Sequence, residues 1–309
     1  MESTQSIVFE QMLVILIMIA VGYGCYKKKW ITDAGAKTMS FLVANITNPA
    51  IAISSAFSDD ISITHKDILI GIAICFVLFI ALIILGHLLA FLLEGEKTKR
   101  RYYTMLGVYS NVGFIGIPVV SSVLGDQALV YVTMFNIAYN IFFYTHGYIV
   151  MLSSGKNVEY KVSWKTFVNS GTVSGIIALI VFWFRLRFPD VIEDTLTYSG
   201  KATTFLAMIV LGVALAKIPI KSMFSNKKLW VLWLIRYLLF PLAAGFCMKR
   251  LFGSTLLSGS MILLLAMPAG NMPIILAQQY DLDTSILSPG VFISTILSLV
   301  TVTLSAMTI

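Results

Sequence analysis

Residues 110–120 read SNVGFIGIPVV, an apolar stretch that carries Asn111, Gly113, Gly116 and Pro118 at its centre. Proline inside a helix removes one backbone hydrogen bond and crowds the preceding turn, while glycine leaves the backbone unshielded. In hydrocarbon each freed N–H or C=O costs several kcal/mol, so an interrupted helix survives only where protein or a water-filled cavity satisfies those groups. The stretch therefore predicts a broken membrane helix, and the break predicts a site.

The membrane premise rests on the rest of the chain. Of its 309 residues 58% are hydrophobic and 12% charged, and the mean hydropathy is +0.88, which excludes an ordinary soluble domain. A bilayer core about 30 Å thick needs roughly 20 helical residues per crossing, and short charged strings punctuate the chain at about that interval. Ten spans are expected, at 7–26, 35–57, 67–93, 102–124, 127–152, 167–184, 198–217, 228–250, 255–280 and 285–308. Long apolar runs without strict alternation argue for helices over a membrane barrel, so the fold class is an all-α polytopic membrane protein.

Lys27, Lys28 and Lys29 follow the first apolar run directly, and no basic region precedes it, so that run is expected to stay in the membrane as a span. Lys and Arg collect in cytoplasmic loops, and with ten spans fifteen of them fall on one side and six on the other. Both termini are thus expected outside. The net charge of +7 sits in short inter-helix loops, which makes it an orientation signal and an attraction for anionic lipid; nucleic-acid binding is not expected. Cys25, Cys75 and Cys247 all fall within spans without a CxxC pair and are expected to be packing residues, and no cofactor or metal is expected.

The chain also repeats itself. GAKTMSFLVAN at 35–45 overlays SGKATTFLAMI at 199–209, matching Lys37 with Lys201, Phe41 with Phe205 and Leu42 with Leu206, and Pro118 in span four pairs with Pro273 in span nine. Two halves of five spans follow, 1–153 and 167–309, with a cytoplasmic connecting loop at 154–166. An odd number of spans per half forces the second half in from the opposite side, and inverted repeats of this kind are characteristic of secondary transporters. Span nine supplies the matching interruption in AMPAGNMPIILAQQY, where Pro268, Gly270, Asn271 and Pro273 lie within six residues. Two interrupted helices in corresponding positions point to a midplane site whose half-helix N-termini, each worth about +0.5 charge, favour an anion. Asn45, Asn48 and Pro49 form a weaker version in span two and are candidates for the cavity lining.

The strings NVGFIGIPVV, with Leu124 and Gly125 after it, and AMPAGNMPIILAQQYDLDTSILSPGV resemble the auxin efflux carrier family, which includes plant PIN-formed carriers and bacterial permeases for malate- or malonate-like acids. In that resemblance Asn111, Gly113, Gly116 and Pro118 stand in the first crossover, Pro268, Pro273, Ala277 and Tyr280 in the second, and Ser288 to Val291 at the start of the last span. It implies a ten-helix, five-plus-five inverted repeat of the PIN-like or bile-acid-symporter-like kind, with broken helices four and nine crossing. It further implies a scaffold part and a transport part moving by elevator-type alternating access, and a homodimer. The chain departs from the plant members in a connection of only about a dozen residues after span five and in Val112 beside Asn111.

Further candidates come from polar residues inside spans. Asn136, Tyr139 and Asn140 in span five lie beside the crossover in the family's architecture, and 136 and 140 share one helical face. His146 follows one to two turns later and reads either as an interhelical contact or as a proton carrier. Arg236 is the one charge near mid-depth; it either binds the anion from a cavity wall or snorkels to the inner interface among Trp230, Trp233 and Tyr237. All fifteen acidic residues lie in loops or span ends, which argues against ion coupling through a titrating mid-membrane carboxylate. The expected function is a secondary transporter of a small organic anion, a carboxylate of the malate, malonate or auxin type. The alternatives are a proton- or sodium-coupled symporter of another solute, or a channel or receptor. A membrane enzyme is not expected, since no HExxH, GxGD or comparable constellation is present.

Overall fold

The structure, a computed structural model, describes residues 4–57, 63–152, 168–217, 226–280 and 282–309. The connecting loop expected at 154–166 lies outside the described residues. Twelve helices are described: α1 Thr4–Lys27, α2 Asp33–Phe57, α3 His65–Leu93, α4 Lys97–Val108, α5 Val112–Leu124, α6 Asp126–Leu152, α7 Ser170–Phe184, α8 Asp190–Ala216, α9 Lys227–Phe252, α10 Leu256–Ala266, α11 Met272–Gln279 and α12 Leu287–Ala306. Seven of these (α1 counted from Phe9, α2, α3, α6, α8, α9 and α12) are long and apolar enough to cross a membrane, and α5, α7 and α10 are shorter apolar helices. The protein is an all-helical, multi-pass membrane protein.

Local chemistry sets most boundaries. Thr64 caps α3 by accepting from the Asp67 N–H while Asp67 accepts from the Thr64 N–H, and Thr255 and Ser258 do the same at α10. His65, just outside the span expected at 67–93, is the first residue of α3 and its ring stacks on Trp183 with centroids 4.4 Å apart. The seventh expected span begins eight residues too late: α8 starts at Asp190, where Asp190 and Glu193 in the first turn complement the helix dipole instead of marking a loop.

The prolines explain three widened turns. π-helical turns occur at Val43–Thr47, Val112–Gly116 and Leu234–Leu239, immediately ahead of Pro49, Pro118 and Pro241. A proline lacks the N–H for the carbonyl four residues back and its ring pushes that carbonyl aside, so the preceding turn widens to longer-range bonds such as Ile117 N–H to Val112 O. Pro118 thus widens a continuing helix. The break in span four lies earlier, at residues 109–111 between α4 and α5.

Small residues bring helices close. A Cβ on Gly22 or Gly212 would collide with the backbone of the facing helix, which locks α1 against α8. At the α3–α4 connection, Lys228 Nζ of α9 lies 2.9 Å from Glu94 Oε2 and ties α9 to that corner. Burial alone would raise the Glu94 carboxyl, but hydrogen bonds from Lys228 and the Glu96 N–H, with the charges of Lys228 and Lys99, outweigh it and hold it below the ordinary carboxylate range.

Candidate functional site

The two breaks pair with each other. Asn111 N–H donates to Pro268 O at 2.7 Å and Gly270 N–H donates to Tyr109 O at 2.9 Å, closing an antiparallel bridge between Ser110 and Ala269. Backbone groups freed by one interruption are therefore satisfied by the other. Ala269 N–H is taken by Ser294 Oγ of α12 at 3.1 Å. A Cβ on Gly270 would lie 3.0 Å from Ser110 O and 3.3 Å from Tyr109 O, backbone atoms with little room to yield. Gly270→Ala is expected to push the paired segments apart, lowering stability by about 1–3 kcal/mol, read as a lower thermal midpoint in nanodiscs.

Behind this bridge sits Arg236, wholly buried in the widened turn of α9. Its Nε donates to Gly107 O at 2.6 Å, Nη1 to Leu265 O at 2.9 Å and Nη2 to Ser110 Oγ at 2.8 Å. Gly107 and Leu265 are next to the last residues of α4 and α10, so one guanidinium caps the C-terminal ends of both half-helices. Each end carries about −0.5 charge, and two of them match the single positive charge of Arg236. The next residue extends the clamp, with the Tyr237 hydroxyl donating to Leu106 O. Arg236 does not snorkel to the interface and is not among the residues lining the cavity in front of the bridge; its three donors go to the crossover.

In front of the bridge is a cavity of about 330 Å³, a size suited to a small ligand. Of the sequence candidates, Asn45, Asn48, Asn111, Gly113, Asn136, Tyr139, Asn140 and Asn271 line it. Pro49, Gly116, Pro118, Pro268 and Pro273 do not; they shape the helices that do. Apolar walls come from Ile51, Ile117, Leu129, Val132 and Ile275, and no lining residue is charged.

Three helices begin at this wall, each directly after an asparagine: α5 after Asn111, α7 after Asn169 and α11 after Asn271. Asn111 Oδ1 accepts from Phe114 N–H at 3.1 Å and Asn169 Oδ1 accepts from Thr172 N–H at 3.0 Å. With the oxygens used as caps, the amide nitrogens of both Asn111 and Asn169 are buried without a partner, as is Asn48 Oδ1. Asn111 is only 3% exposed, so its free donor has no water-facing alternative to the cavity. Ser170 Oγ, beside Asn169, contacts Asn45 Oδ1 at 2.8 Å and links α7 to α2.

Asn169 and Ser170 are the contribution that sequence reasoning missed. NSGTVS at 169–174 carries the signal, an asparagine cap ahead of an apolar run, but the eighteen-residue span expected from 167 ran over it.

The profile of the membrane transport protein family matches residues 7–306. The chain is 25% identical over 306 residues to an uncharacterized transporter of Methanocaldococcus jannaschii, covering 94% of this chain and 96% of that one. It is 26% identical over 297 residues to an uncharacterized transporter of Methanothermobacter thermautotrophicus, covering 96% of each. A shorter similarity, 27% identity over 146 residues, covers 44% of this chain and 38% of auxin efflux carrier component 8 of Arabidopsis thaliana. The chain belongs to the membrane transport protein family, the auxin efflux carrier group of its motifs, and is a transporter and not an enzyme.

Proposed function

We infer that the chain is a secondary carrier of a small organic anion in the cytoplasmic membrane. The observation that carries this reading is the convergence of three helix N-termini, each directly after an asparagine and two of them capped by its side chain, on a cavity without a charged side chain. Each N-terminus contributes about +0.5 charge, and spare amide donors of Asn111 and Asn169 await an acceptor. A cation would meet the wrong end of all three dipoles.

The absence of a lysine or arginine in the lining narrows the anion. The cost of desolvating an ion grows with the square of its charge, so a dianion pays about four times the penalty of a monoanion, against the same fixed partial charges. A monocarboxylate with an apolar body also uses the Ile51, Leu129 and Ile275 walls. Singly charged acids of this kind are preferred over malate- or malonate-like dianions.

The transport cycle proposed is elevator-type alternating access. Ten crossings form a five-plus-five inverted repeat, with both termini outside and two copies forming a dimer. Arg236 holds the crossed half-helices as one body, which suits a site that moves as a unit. The test is current across proteoliposomes on a solid-supported membrane, challenged with mono- and dicarboxylates. A saturable current with a monocarboxylate of apolar body, at least tenfold above that with malate, is expected. A preference for dianions would overturn the charge argument, and no current with any acid would overturn the substrate class.

A further inference from the structure

Outside the cavity lies a chain of titratable groups that transport of an anion leaves unused. His87 of α3 and His146 of α6 meet through their Nε2 atoms at 2.9 Å, and His146 Nδ1 lies 2.9 Å from the Tyr109 hydroxyl. That hydroxyl donates to Phe142 O at 2.8 Å. A phenol has one proton, so once it is given to Phe142 O the oxygen accepts on its other side. His146 then carries its hydrogen on Nδ1 and presents a bare Nε2, to which His87 donates from its own Nε2. With the phenol proton on Phe142 O, the neutral chain runs from His87 to Tyr109, and the nitrogen left over is His87 Nδ1, which has no hydrogen-bond partner among the described residues.

His87 is exposed at the protein surface, six residues before the end of α3 at Leu93, or about 9 Å along the helix. At the other end Tyr109 is fully buried and its carbonyl holds Gly270 in the crossover. The π-helical turn Phe143–Gly147 that presents His146 packs Gly147 against the Tyr109 ring, where a Cβ would come within 3.1 Å. The chain thus runs from the outer surface of α3 to the bridge beside the cavity.

We propose that His87, His146 and Tyr109 form a one-proton binding site that couples proton uptake to anion binding. The proton enters at His87 Nδ1, and every bond in the chain persists, because the imidazolium still donates from Nε2. A second proton on His146 would set two N–H groups head to head across 2.9 Å, which limits the site to one. Tyr109, just after α4, bonds to His146, and Arg101 of α4 donates to Met151 O and lies over the Tyr102 ring. On α6 itself are Tyr139, Tyr144 and Tyr148, and Tyr280, following α11, meets the Tyr148 ring. No carboxylate bonds to either imidazole among the described residues. Tyr139 and Tyr144 belong to the same ring cluster and also line the cavity, so an anion bound there would lie across that cluster from the imidazole pair. Proton and anion attract through low-dielectric protein, and each therefore strengthens the binding of the other by the same factor.

The existence of the proton site stands on the hydrogen-bond chain alone; its coupling to transport rests on the anion reading above. The two are tested separately. The chain has three histidines, so ¹⁵N-histidine labelling in nanodiscs resolves His65, His87 and His146. As pH falls through the histidine range, about 7.5 to 5, His87 is expected to gain a proton on Nδ1 while His146 keeps its Nδ1–H form. Independent protonation of both rings, or of neither, overturns the site. For coupling, His87→Gln keeps a donor toward His146 but has no proton to gain, and it is not in the cavity. Carboxylate current of the native chain, measured below half-saturation, is expected to rise about fivefold or more from pH 7.5 to 5.5, and that of His87→Gln to stay level. A native current independent of pH overturns the coupling. If no carboxylate gives a current, the anion reading fails and with it the coupling, while the NMR result still decides the proton site.

Discussion

Replacing Arg236 by methionine is expected to destabilise the protein by roughly 3–5 kcal/mol and to abolish transport. Methionine fills much of the space but leaves Gly107 O, Leu265 O and Ser110 Oγ without their donor in a site from which water is excluded. It also leaves the negative ends of α4 and α10 facing each other without the charge that offsets them. That second loss reaches the cavity, because uncancelled negative ends behind the bridge oppose the positive N-termini in front of it. Arg236→Lys keeps the charge but presents a compact ammonium where a planar fork serves three acceptors, so it should recover part of the stability and little of the transport. Thermal unfolding in nanodiscs, followed by the fluorescence of the five tryptophans, measures the first effect. A methionine variant with native midpoint and native transport would show that the clamp is dispensable.

Asn111→Asp should separate function from stability in the opposite way. Aspartate serves as well as asparagine at a helix start, and its charge suits the N-terminal dipole, so the Phe114 N–H stays capped and the fold holds. What changes is the outward atom, from an unpartnered amide donor to a carboxylate oxygen. Two like charges about 4 Å apart at an effective dielectric of about 20 repel by about 4 kcal/mol, so affinity for an anion should fall roughly a thousandfold. Asn111→Ala loses donor and cap together and should cost about 1 kcal/mol of stability besides its transport defect. Concentration dependence of the current, alongside thermal midpoints, distinguishes the pair. If Asn111→Asp transports the same anion with native affinity, Asn111 does not face the ligand.

These two positions show how unevenly the site could be read in one dimension. Asn111 and Asn271 stood out because a polar residue beside glycine and proline in an apolar run has few structural uses, and both line the cavity. Asn136 and Asn140 followed from the family resemblance, which implied that span five lies beside the crossover, and helical spacing set both on one face. Asn169 escaped because a cap at the edge of an expected span looks like any polar boundary residue. Arg236 was visible as an anomaly but not interpretable: its partners, Gly107 and Leu265, contribute carbonyls, and every residue has one. Pro118 was readable as a disturbance of the helix, yet the widened turn before it and the true break at 109–111 depend on what crosses there.

The sequence by itself determined that the chain is helical and membrane-embedded, that two of its apolar stretches are interrupted by glycine and proline, and which family it resembles. Hydrophobic run length, charge punctuation and the backbone chemistry of proline and glycine are local properties, and they act wherever the residues lie. Only the tertiary structure decided that the two interruptions satisfy each other, that one buried arginine caps both half-helices, and that a third helix start joins the cavity from α7. Those outcomes hinge on groups far apart in the chain meeting in space, many of them backbone carbonyls and N–H groups, which leave no mark in the alphabet of side chains.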